Sequence, residues 1–434
     1  MIDSGSSDLW VSGPISNSVE INNGEEVAIK YAVGEASGPI KVAVMEFAGY
    51  TIQNQAYIDV NTTVGPEGTG LLGIGPSSGS VVKSVVPPPT GNTVLGNIFS
   101  ASESDSVARF MTILLGRTPD HTRSYYPGEM TIGELLPGYE AIVDQPKLGI
   151  TEIQDSKRKM GQHVQVLLDK DGFTAPDGVA ISTSSLLSSS SEPDRLTVIF
   201  DTGFTLPQVP PHVAEEIYSS LPGAQLTKLR GIGYVWAVSC QQEVNVSLSL
   251  GGQVIRMHPL DVTIDPTKFN FGLEMEKNGI KDANGNKACV GTLQPFSFKK
   301  GNDPTYDAIL GMSFLRNTYM LVNYGDLVNE NGTSSISENA TTTEPYIQLL
   351  PLTTDAARAH TEFVNVRLGG IDTTVPIVQG SFHHREGPKP VGSGRGVVHD
   401  AKVSGIIAGC IGAGAVATFV GILGLMMWKR KGKR

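Results

Sequence analysis

Apolar and polar residues alternate in short runs along most of the chain, and this pattern predicts a mainly β protein. Gly, Pro, Asn and Asp separate the runs, as is typical of turns between strands. Helical periodicity is scarce, and its best example is 211–221, which has Pro near its start and Pro222-Gly223 after its end. The clearest predicted strands are 27–33, 40–47, 164–168, 197–200 and 244–250, and a further apolar run occupies 346–352.

A long uncharged segment lies near the C-terminus. Residues 403–428 contain no Asp, Glu, Lys, Arg or His, and at about 1.5 Å per residue they are long enough to cross a hydrocarbon core of ~30 Å. They predict a transmembrane helix, and the basic residues in 429–434 predict a cytoplasmic tail with residues 1–402 outside or luminal. A GPI-attachment signal near Gly392 is the alternative, but the charged end favours a retained span.

The same span contains Gly405 and Gly409 at G-x-x-x-G spacing. This spacing is compatible with weak dimerisation through the helix, although glycine-rich spans also contain it by chance. Before the span, residues 367–402 are rich in Gly, Pro, His and Arg and predict a flexible stem.

Two features agree with an oxidising, luminal environment for the body. Four N-x-S/T sequons predict glycosylation at Asn61, Asn245, Asn331 and Asn339. Because Cys410 lies inside the predicted span, Cys240 and Cys289 are the pair left for a disulfide, with two unrelated buried thiols as the alternative.

The charge of the body excludes one class of partner. The chain has 33 Lys and Arg against 43 Asp and Glu, and five of the basic residues lie in 429–434, so the rest carries −15. Such an acidic surface, without a basic stripe, argues against nucleic-acid binding, and acidic partners are not expected either. The hydrophobic fraction of 40% is typical of globular chains and excludes a disordered protein.

A weak internal repeat supplies the candidate chemistry. Asp3-Ser4-Gly5-Ser6 and Asp201-Thr202-Gly203-Phe204 each place an Asp after an apolar strand and before a hydroxyl residue and a Gly. An apolar segment containing Gly follows each copy, at 69–75 and 308–312, so we expect two similar halves with one carboxylate each. Two carboxylates at about 3 Å cannot both ionise, so the pair can hold one proton and activate a shared water. We expect the Ser4 and Thr202 hydroxyls to bond across the two loops.

At these residues the chain resembles the pepsin-like aspartic peptidases, and the resemblance extends over 2–352. Asp3 and Asp201 match the catalytic aspartates of that family. Residues 128–133 resemble the strand that ends the first lobe, and 309–316 resemble the late motif that supports the second aspartate. The resemblance implies a bilobal, mostly β fold, with an N-terminal lobe at 1–150 and a C-terminal lobe at 151–366. Membrane-anchored, glycosylated fungal members are the most similar.

The resemblance also implies a substrate-binding flap. Residues 29–40 look like the flap hairpin, with Tyr31 as the flap tyrosine, Gly34 at its turn and Trp10 as the tryptophan that hydrogen-bonds Tyr31. Cys240 and Cys289 sit where the C-terminal lobe of the family has its disulfide.

Several positions depart from the family pattern. Ser4 stands where Thr is commoner, and its hydroxyl is retained. Phe204 stands where Ser or Thr usually donates to the second aspartate, which should raise the pKa of Asp201 unless Thr205 substitutes. The flap has Ala32-Val33 instead of Gly-Thr, so one hydroxyl contact to substrate is missing.

The start of the sequence is also unlike that of the family. No charged n-region, apolar h-region or early strands precede Asp3, so we expect that the sequence is a truncated form of a longer protein.

The predicted function is an acid endopeptidase tethered by a single span in the plasma membrane or secretory pathway. Its substrates would be peptides or proteins, with Asp3 and Asp201 as general acid and base and no cofactor or metal. A catalytically weak member of the fold that binds peptides at the cell surface or wall is the alternative. The G-x-S-x-G match at 75–79 lies in a polar turn, and His383-His384 lacks other ligands at metal spacing, so neither a serine hydrolase nor a metal site is predicted.

Overall fold

The computed structural model describes most of the body and none of the C-terminal segment from residue 375 onward. Asn331, Asn339, most of the predicted stem, and the predicted span and tail therefore lie outside the described residues. None of the described helices has the length and apolar character that a membrane crossing requires. The described residues are 1–31, 34–61, 66–100, 109–116, 128–153, 159–187, 190, 192–229, 233–266, 280–282, 285–296, 304–325, 327–328 and 344–374.

Within these ranges the protein is mostly β, as the alternating pattern predicts. The strands are β1 (Ile2–Asp3), β2 (Leu9–Ser12), β3 (Val19–Glu20), β4 (Glu26–Lys30), β5 (Glu35–Phe47), β6 (Tyr50–Val60), β7 (Gly70–Gly73), β8 (Phe110–Leu114), β9 (Glu129–Ile132), β10 (Leu148–Gly149), β11 (Gln165–Leu167), β12 (Phe173–Thr174), β13 (Ala180–Ile181), β14 (Thr197–Phe200), β15 (Gln208–Val209), β16 (Gln225–Leu229), β17 (Gly233–Ser239), β18 (Val246–Leu250), β19 (Gln253–Met257), β20 (Thr263–Ile264), β21 (Ala288–Gly291), β22 (Gln294–Pro295), β23 (Ala308–Leu310), β24 (Thr318–Asn323) and β25 (Tyr346–Pro351).

Two sheets carry the strands that end at the repeated aspartates. In the first half the order is β1-β7-β2-β6-β5-β3, and β4 pairs with β5 to extend a hairpin away from the sheet. In the second half the order is β11-β14-β23-β15-β22. β1 runs parallel to β7 and β14 runs parallel to β23, so the two halves present Asp3 and Asp201 in the same way.

A third sheet joins the halves. Its order is β10-β25-β24-β8-β9, so β24 from the second half pairs antiparallel with β8 from the first. The side chains of Met111, Ile113, Met320 and Val322 are buried in the main apolar core. This shared sheet holds the two aspartate-bearing halves as one body.

Two four-stranded sheets complete the described part of the second half, in the orders β13-β12-β18-β19 and β16-β17-β21-β20. β17 pairs with β21, so Val238 lies opposite Cys289 and the chain beyond β17 brings Cys240 close. The predicted Cys240–Cys289 disulfide is confirmed, with the two Cα atoms 4.8 Å apart.

Helices are few and short in the part of the chain that the structure describes. The predicted helix at 211–221 is present but ends earlier, and a longer helix after β25 is unexpected from the sequence. The Asp355 side chain accepts from the backbone N–H of Arg358 and caps the start of that helix, and Phe363 and Val364 are buried beneath it. The α-helices are α1 (Val81–Val85), α2 (Val94–Ser100), α3 (Pro211–Tyr218), α4 (Pro259–Val262), α5 (Met312–Leu315) and α6 (Ala356–Arg367), and single 3₁₀ turns occupy Asn22–Gly24, Ser77–Gly79, Glu140–Asp144 and Lys159–Gly161.

Candidate active site

The structure brings Asp3 and Asp201 together at the junction of the two halves. Asp3 ends β1, where it lies opposite Gly73 of β7, and Asp201 directly follows β14. The Asp201 N–H donates to Leu310 O at 3.1 Å and the Ile74 N–H donates to Asp3 O at 2.8 Å. Both aspartates are about 95% buried. Backbone pairing therefore fixes each carboxylate at the end of a strand that runs parallel to its neighbour.

Glycines allow this close approach. A Cβ atom added at Gly5 would lie 2.2 Å from Asp201 Oδ2, and one added at Gly203 would lie 2.4 Å from Asp3 Oδ1. Each glycine thus packs against the carboxylate of the other half, where a larger residue would collide with it. The Gly5 N–H donates to Asp3 Oδ1 at 2.9 Å and the Gly203 N–H donates to Asp201 Oδ1 at 2.7 Å.

Hydrogen bonds between the loops follow the pattern expected from the repeat. The Ser4 N–H donates to Thr202 Oγ1 at 3.1 Å, and the Thr202 N–H donates to Ser4 Oγ at 3.0 Å. The Ser4 hydroxyl donates to Phe200 O and the Thr202 hydroxyl donates to Ile2 O. Because all four bonds are largely buried and reciprocal, they hold the two loops in one arrangement.

The outer oxygens of the two carboxylates have different surroundings. The Ser6 hydroxyl donates to Asp3 Oδ2 at 2.5 Å. Phe204 occupies the equivalent position in the second loop, and its side chain has no polar group to donate. Thr205 does not replace the missing donor, because its buried Oγ1 has no hydrogen-bond partner among the described residues. The idea that Thr205 substitutes is therefore wrong, because its hydroxyl makes no hydrogen bond to the Asp201 carboxylate in the described structure.

The electrostatics of the pair follow from this arrangement. Burial raises the pKa of Asp201 well above its ordinary value, and the charge of Asp3 and a hydrogen bond with the Asp3 carboxyl raise it further. The backbone N–H groups of Gly203 and Phe204 lower it by a smaller amount. These surroundings therefore favour the protonated form of Asp201.

The predicted flap lies over the aspartates. β4 and β5 form the hairpin, and the Tyr31 N–H donates to Gly34 O at 3.1 Å across its turn, where Gly34 has a φ of +83°. The Trp10 Nε1–H donates to Tyr31 Oη at 2.9 Å, the bond that the resemblance implies. Burial and the Asp3 charge raise the pKa of Tyr31, which keeps the phenol neutral. Residues 32 and 33 lie outside the described part of the hairpin.

A cleft of about 460 Å³ lies between the flap and the aspartates. Its walls include several residues that the sequence reasoning missed. His163 and Tyr306 lie outside the repeated motifs, and only their position just before β11 and β23, the strands beside β14, could have drawn attention to them. The cleft is lined in part by Lys30, Tyr31, Met160, His163, Phe204 and Tyr306.

The remaining predicted sites lie away from this cleft. Asn61, after β6, and Asn245, before β18, are exposed. Among the residues that the structure describes, no group of three or more His, Cys, Asp or Glu side chains could hold a metal ion.

Comparison with known proteins identifies the family. The sequence model for eukaryotic aspartyl proteases matches residues 13–330, a range that contains Asp201 and begins after Asp3. The chain belongs to this family.

Two curated fungal proteins are similar in sequence. Major aspartyl peptidase 1 of Cryptococcus neoformans is 25% identical over 347 residues, covering 75% of this chain and 63% of the relative. The probable aspartic-type endopeptidase opsB of Aspergillus oryzae is 27% identical over 166 residues, covering 38% of this chain and 30% of the relative. The chain therefore spans less than two thirds of the length of either relative that it matches.

A solved structure shows the same fold. The aspartic proteinase from Irpex lacteus superposes with a TM-score of 0.52 over 82% of this chain and 90% of that protein, at 16% identity. The pepsin-like aspartic protease fold expected from the sequence is confirmed by this match.

Proposed function

We propose that this chain is an aspartic endopeptidase that hydrolyses peptide bonds at acid pH. The observation that carries the proposal is the buried pair of Asp3 and Asp201, in which each carboxylate packs against a glycine of the other half and Asp201 has a raised pKa. A pair that holds one proton contains both a base and an acid, which peptide hydrolysis by water requires.

The environments of the two carboxylates assign their roles. Asp3 is the ionised member, since the Ser6 hydroxyl and the Gly5 N–H both donate to it. It accepts a proton from water, whose oxygen attacks the peptide carbon. Asp201 donates its proton to the carbonyl oxygen. The proton that Asp3 accepted from water then passes to the departing amine as the C–N bond breaks. The pair titrates as a unit, so activity should fall on both sides of an acidic optimum.

The cleft supports an extended peptide as the substrate. The end of the β4–β5 hairpin lines the cleft at Ile29, Lys30 and Tyr31, so peptide backbone groups can bond to the hairpin as an added strand. The hydrogen bond from Trp10 fixes Tyr31 at the rim of the cleft. Phe204 and Tyr306 supply apolar wall for substrate side chains.

We further propose that the peptidase is a glycosylated, single-pass protein of the plasma membrane or secretory pathway. The uncharged segment 403–428, the basic residues in 429–434, the exposed Asn61 and Asn245 and the disulfide support this topology. We expect the protein to stay in the membrane fraction after alkaline carbonate washing. We also expect its mass to fall when N-glycans are removed. Release by a phosphatidylinositol-specific phospholipase would instead indicate a GPI anchor, and an unchanged mass would contradict glycosylation.

The decisive experiment measures cleavage of a quenched-fluorescence peptide library between pH 3 and pH 7 by the natural membrane protein. We expect an acidic optimum and inhibition by pepstatin. The Asp201→Asn variant should lose cleavage but keep the expression level and the unfolding temperature of the wild type. Asp144→Asn changes an exposed carboxylate outside the cleft and serves as the matched control. Cleavage that persists unchanged in Asp201→Asn would rule out the proposed mechanism.

One observation favours a second function. Phe204 removes a donor from Asp201, and a weakened pair could leave a surface protein that binds peptides without cutting them. A folded, glycosylated wild-type chain that binds pepstatin yet cleaves no library peptide at any pH would support this alternative.

A further inference from the structure

Helix α6 packs against the second half after β25 has ended. Ala359, Phe363 and Val364 are buried beneath it, and the Arg367 side chain donates to Thr263 O at 3.0 Å. It is the last helix that the structure describes. The contacts of α6 therefore decide how the end of the described chain is held to the body.

One side chain of α6 lies between two carboxylates. His360 Nδ1 is 2.7 Å from Glu243 Oε2, which comes just before β18, and His360 Nε2 is 3.2 Å from Asp372 Oδ2, which follows the helix. A carboxylate oxygen accepts hydrogen bonds, and a neutral imidazole has a single N–H to donate. The imidazolium has two, so the cationic ring is the form that satisfies both contacts.

The two carboxylates have supports of their own. The Thr374 N–H and hydroxyl donate to Asp372 Oδ1 at 3.0 and 2.7 Å, which leaves Asp372 Oδ2 for the imidazole. Glu243 belongs to the second half, and its side chain is largely buried. The bridge from Glu243 through His360 to Asp372 therefore ties α6 and the turn after it to the body.

A second histidine at α6 makes a different set of contacts. The Leu260 N–H donates to His258 Nδ1 at 3.2 Å, and His258 Nε2 is 3.1 Å from Glu362 Oε2 on α6. A neutral ring with its proton on Nε2 satisfies both neighbours, whereas a proton on Nδ1 would remove the acceptor of the Leu260 N–H. His258 can therefore hold α6 without a change of charge, and His360 cannot.

The other charged groups near His360 do not change charge over the same pH range. A cavity of about 430 Å³ lies beside α6, and the charged residues among its described lining are Glu243, Arg256 and His360. Arginine stays cationic throughout, so Arg256 adds no pH dependence. On α6 itself the Arg358 side chain donates to Glu362 at 2.9 Å. His360 is thus the group of this cluster that titrates near neutral pH.

The direction of the pH effect follows from these contacts. The hydrogen bond to Glu243 raises the pKa of His360 above its ordinary value, burial opposes the change, and Asp372 adds to it. A pKa raised by docking stabilises docked α6 at pH values below the ordinary histidine value of about 6.5, and this gain is lost as the pH rises through the raised value. Carboxyl groups ordinarily titrate near pH ~4, so the gain also declines in stronger acid.

We propose that Glu243, His360 and Asp372 form an acid-dependent clamp, in which the cationic imidazole bridges the two carboxylates and holds α6 against the second half more tightly in acid than at neutral pH. The inference goes beyond the peptidase function proposed above. It applies equally to a chain that binds peptides without cutting them, because the clamp lies outside the cleft.

The test measures amide hydrogen exchange in α6 on the full chain at pH 5 and pH 8. Dividing the intrinsic exchange rate at each pH by the observed rate gives a protection factor, from which the direct effect of pH is removed. We expect wild-type α6 to be about two- to fivefold better protected at pH 5, the range of a partly exposed ion pair. In His360→Gln the two values should agree. His212→Gln, at an exposed position on α3, is the control and should keep the wild-type ratio.

The two partners of His360 should contribute unequally. The Glu243 side chain is 11% exposed and 2.7 Å from the ring, whereas the Asp372 side chain is 54% exposed and 3.2 Å away. Glu243→Gln should therefore remove most of the difference in protection between the two pH values, and Asp372→Asn a smaller part of it.

Three results would overturn the inference. The first is equal protection of wild-type α6 at both pH values, and the second is better protection at pH 8. The third is a pH difference that survives in His360→Gln, which would assign it to another group.

A second measurement follows the ring itself. NMR titration of ¹³C-labelled histidine, with the His360 signal assigned by its absence in His360→Gln, should show a pKa above the ordinary histidine value that falls in Glu243→Gln. An unchanged His360 titration in Glu243→Gln would contradict the clamp. Neither measurement depends on turnover, so a wild-type chain that cleaves no peptide would defeat the proposed function and leave this inference standing.

Discussion

The two aspartate loops have the same backbone and different side-chain donors. Each has a glycine N–H that donates to its own carboxylate and a hydroxyl residue that bonds to the other loop. At the third position after the aspartate, the first loop has Ser6, whose hydroxyl donates to Asp3 Oδ2, and the second has Phe204, whose side chain cannot donate. The two loops therefore have nearly the same backbone arrangement, but the charges of their carboxylates are stabilised to different extents.

This difference shows how a duplicated motif can give its two carboxylates separate roles. Extra donors stabilise the ionised form of one aspartate, and burial beside that charge keeps the other protonated. In this chain Asp3 has a side-chain donor in Ser6, whereas Asp201 is bonded by the backbone N–H groups of Gly203 and Phe204.

The largest loss of activity is expected when Gly5 or Gly203 is replaced by a larger residue. Gly5→Ala and Gly203→Ala each place a methyl group against the opposite carboxylate, and displacement of that carboxylate should lower kcat/KM by at least about 10²-fold. Gly149→Ala is the control, since no atom lies within 4 Å of its added Cβ. If one of the two loop variants kept wild-type activity, the symmetric packing would be contradicted.

The next effect concerns the bonds between the loops. Thr202→Val removes the hydroxyl that accepts from the Ser4 N–H and donates to Ile2 O, so two buried polar groups lose their partner. We expect the free energy of unfolding to fall by about 2 kcal/mol in denaturant titrations. Thr202→Ser keeps the hydroxyl and should lose less than half as much. Equal losses in the two variants would assign the effect to side-chain packing instead.

Changing the side-chain donor at position 204 or position 6 should shift the pH dependence of kcat/KM. Phe204→Ser introduces a donor to ionised Asp201, which lowers the Asp201 pKa, so the alkaline limb of kcat/KM should move down by about one unit. Ser6→Ala removes the donor to ionised Asp3, so the acid limb should move up by a similar amount. If both variants moved the same limb, the assignment of acid and base to the two aspartates would be wrong.

The smallest effect is expected at Thr205. Its hydroxyl is buried without a hydrogen-bond partner in the described structure, so Thr205→Val should leave kcat/KM within about twofold of wild type and stability within about 0.5 kcal/mol. A tenfold loss of activity in this variant would show that Thr205 does supply the second loop with its missing donor.

The sequence was most informative where a pattern is local. The β-branched and alternating runs predict β4, β5, β11, β14 and β18, and the repeated Asp-hydroxyl-Gly segments predict which carboxylates meet. The disulfide between Cys240 and Cys289 follows from the count of cysteines outside the predicted span. Each of these features depends on the residue types within a short segment, or on their number, and not on how distant segments pack against each other.

Other features depend on contacts that no local pattern reveals. The Thr205 hydroxyl is buried without a hydrogen bond among the described residues, and His163 meets Tyr306 because two distant strands flank β14. Helix α6 was missed because its apolar stripe is narrow and its histidine and glutamate residues resemble a polar loop. Its start at Asp355, a residue typical of helix N-caps, was the available signal.

The sheet shared by the two halves constrains how the protein is made. β8 leaves the ribosome about 200 residues before its partner β24, and at 5 to 20 residues per second this interval lasts ~10 to 40 s. During synthesis one edge of β8 has no strand to pair with, and exposed edges of this kind favour association between chains. Nascent chains therefore need protection by chaperones over this interval, and slower translation between the two strands should increase aggregation.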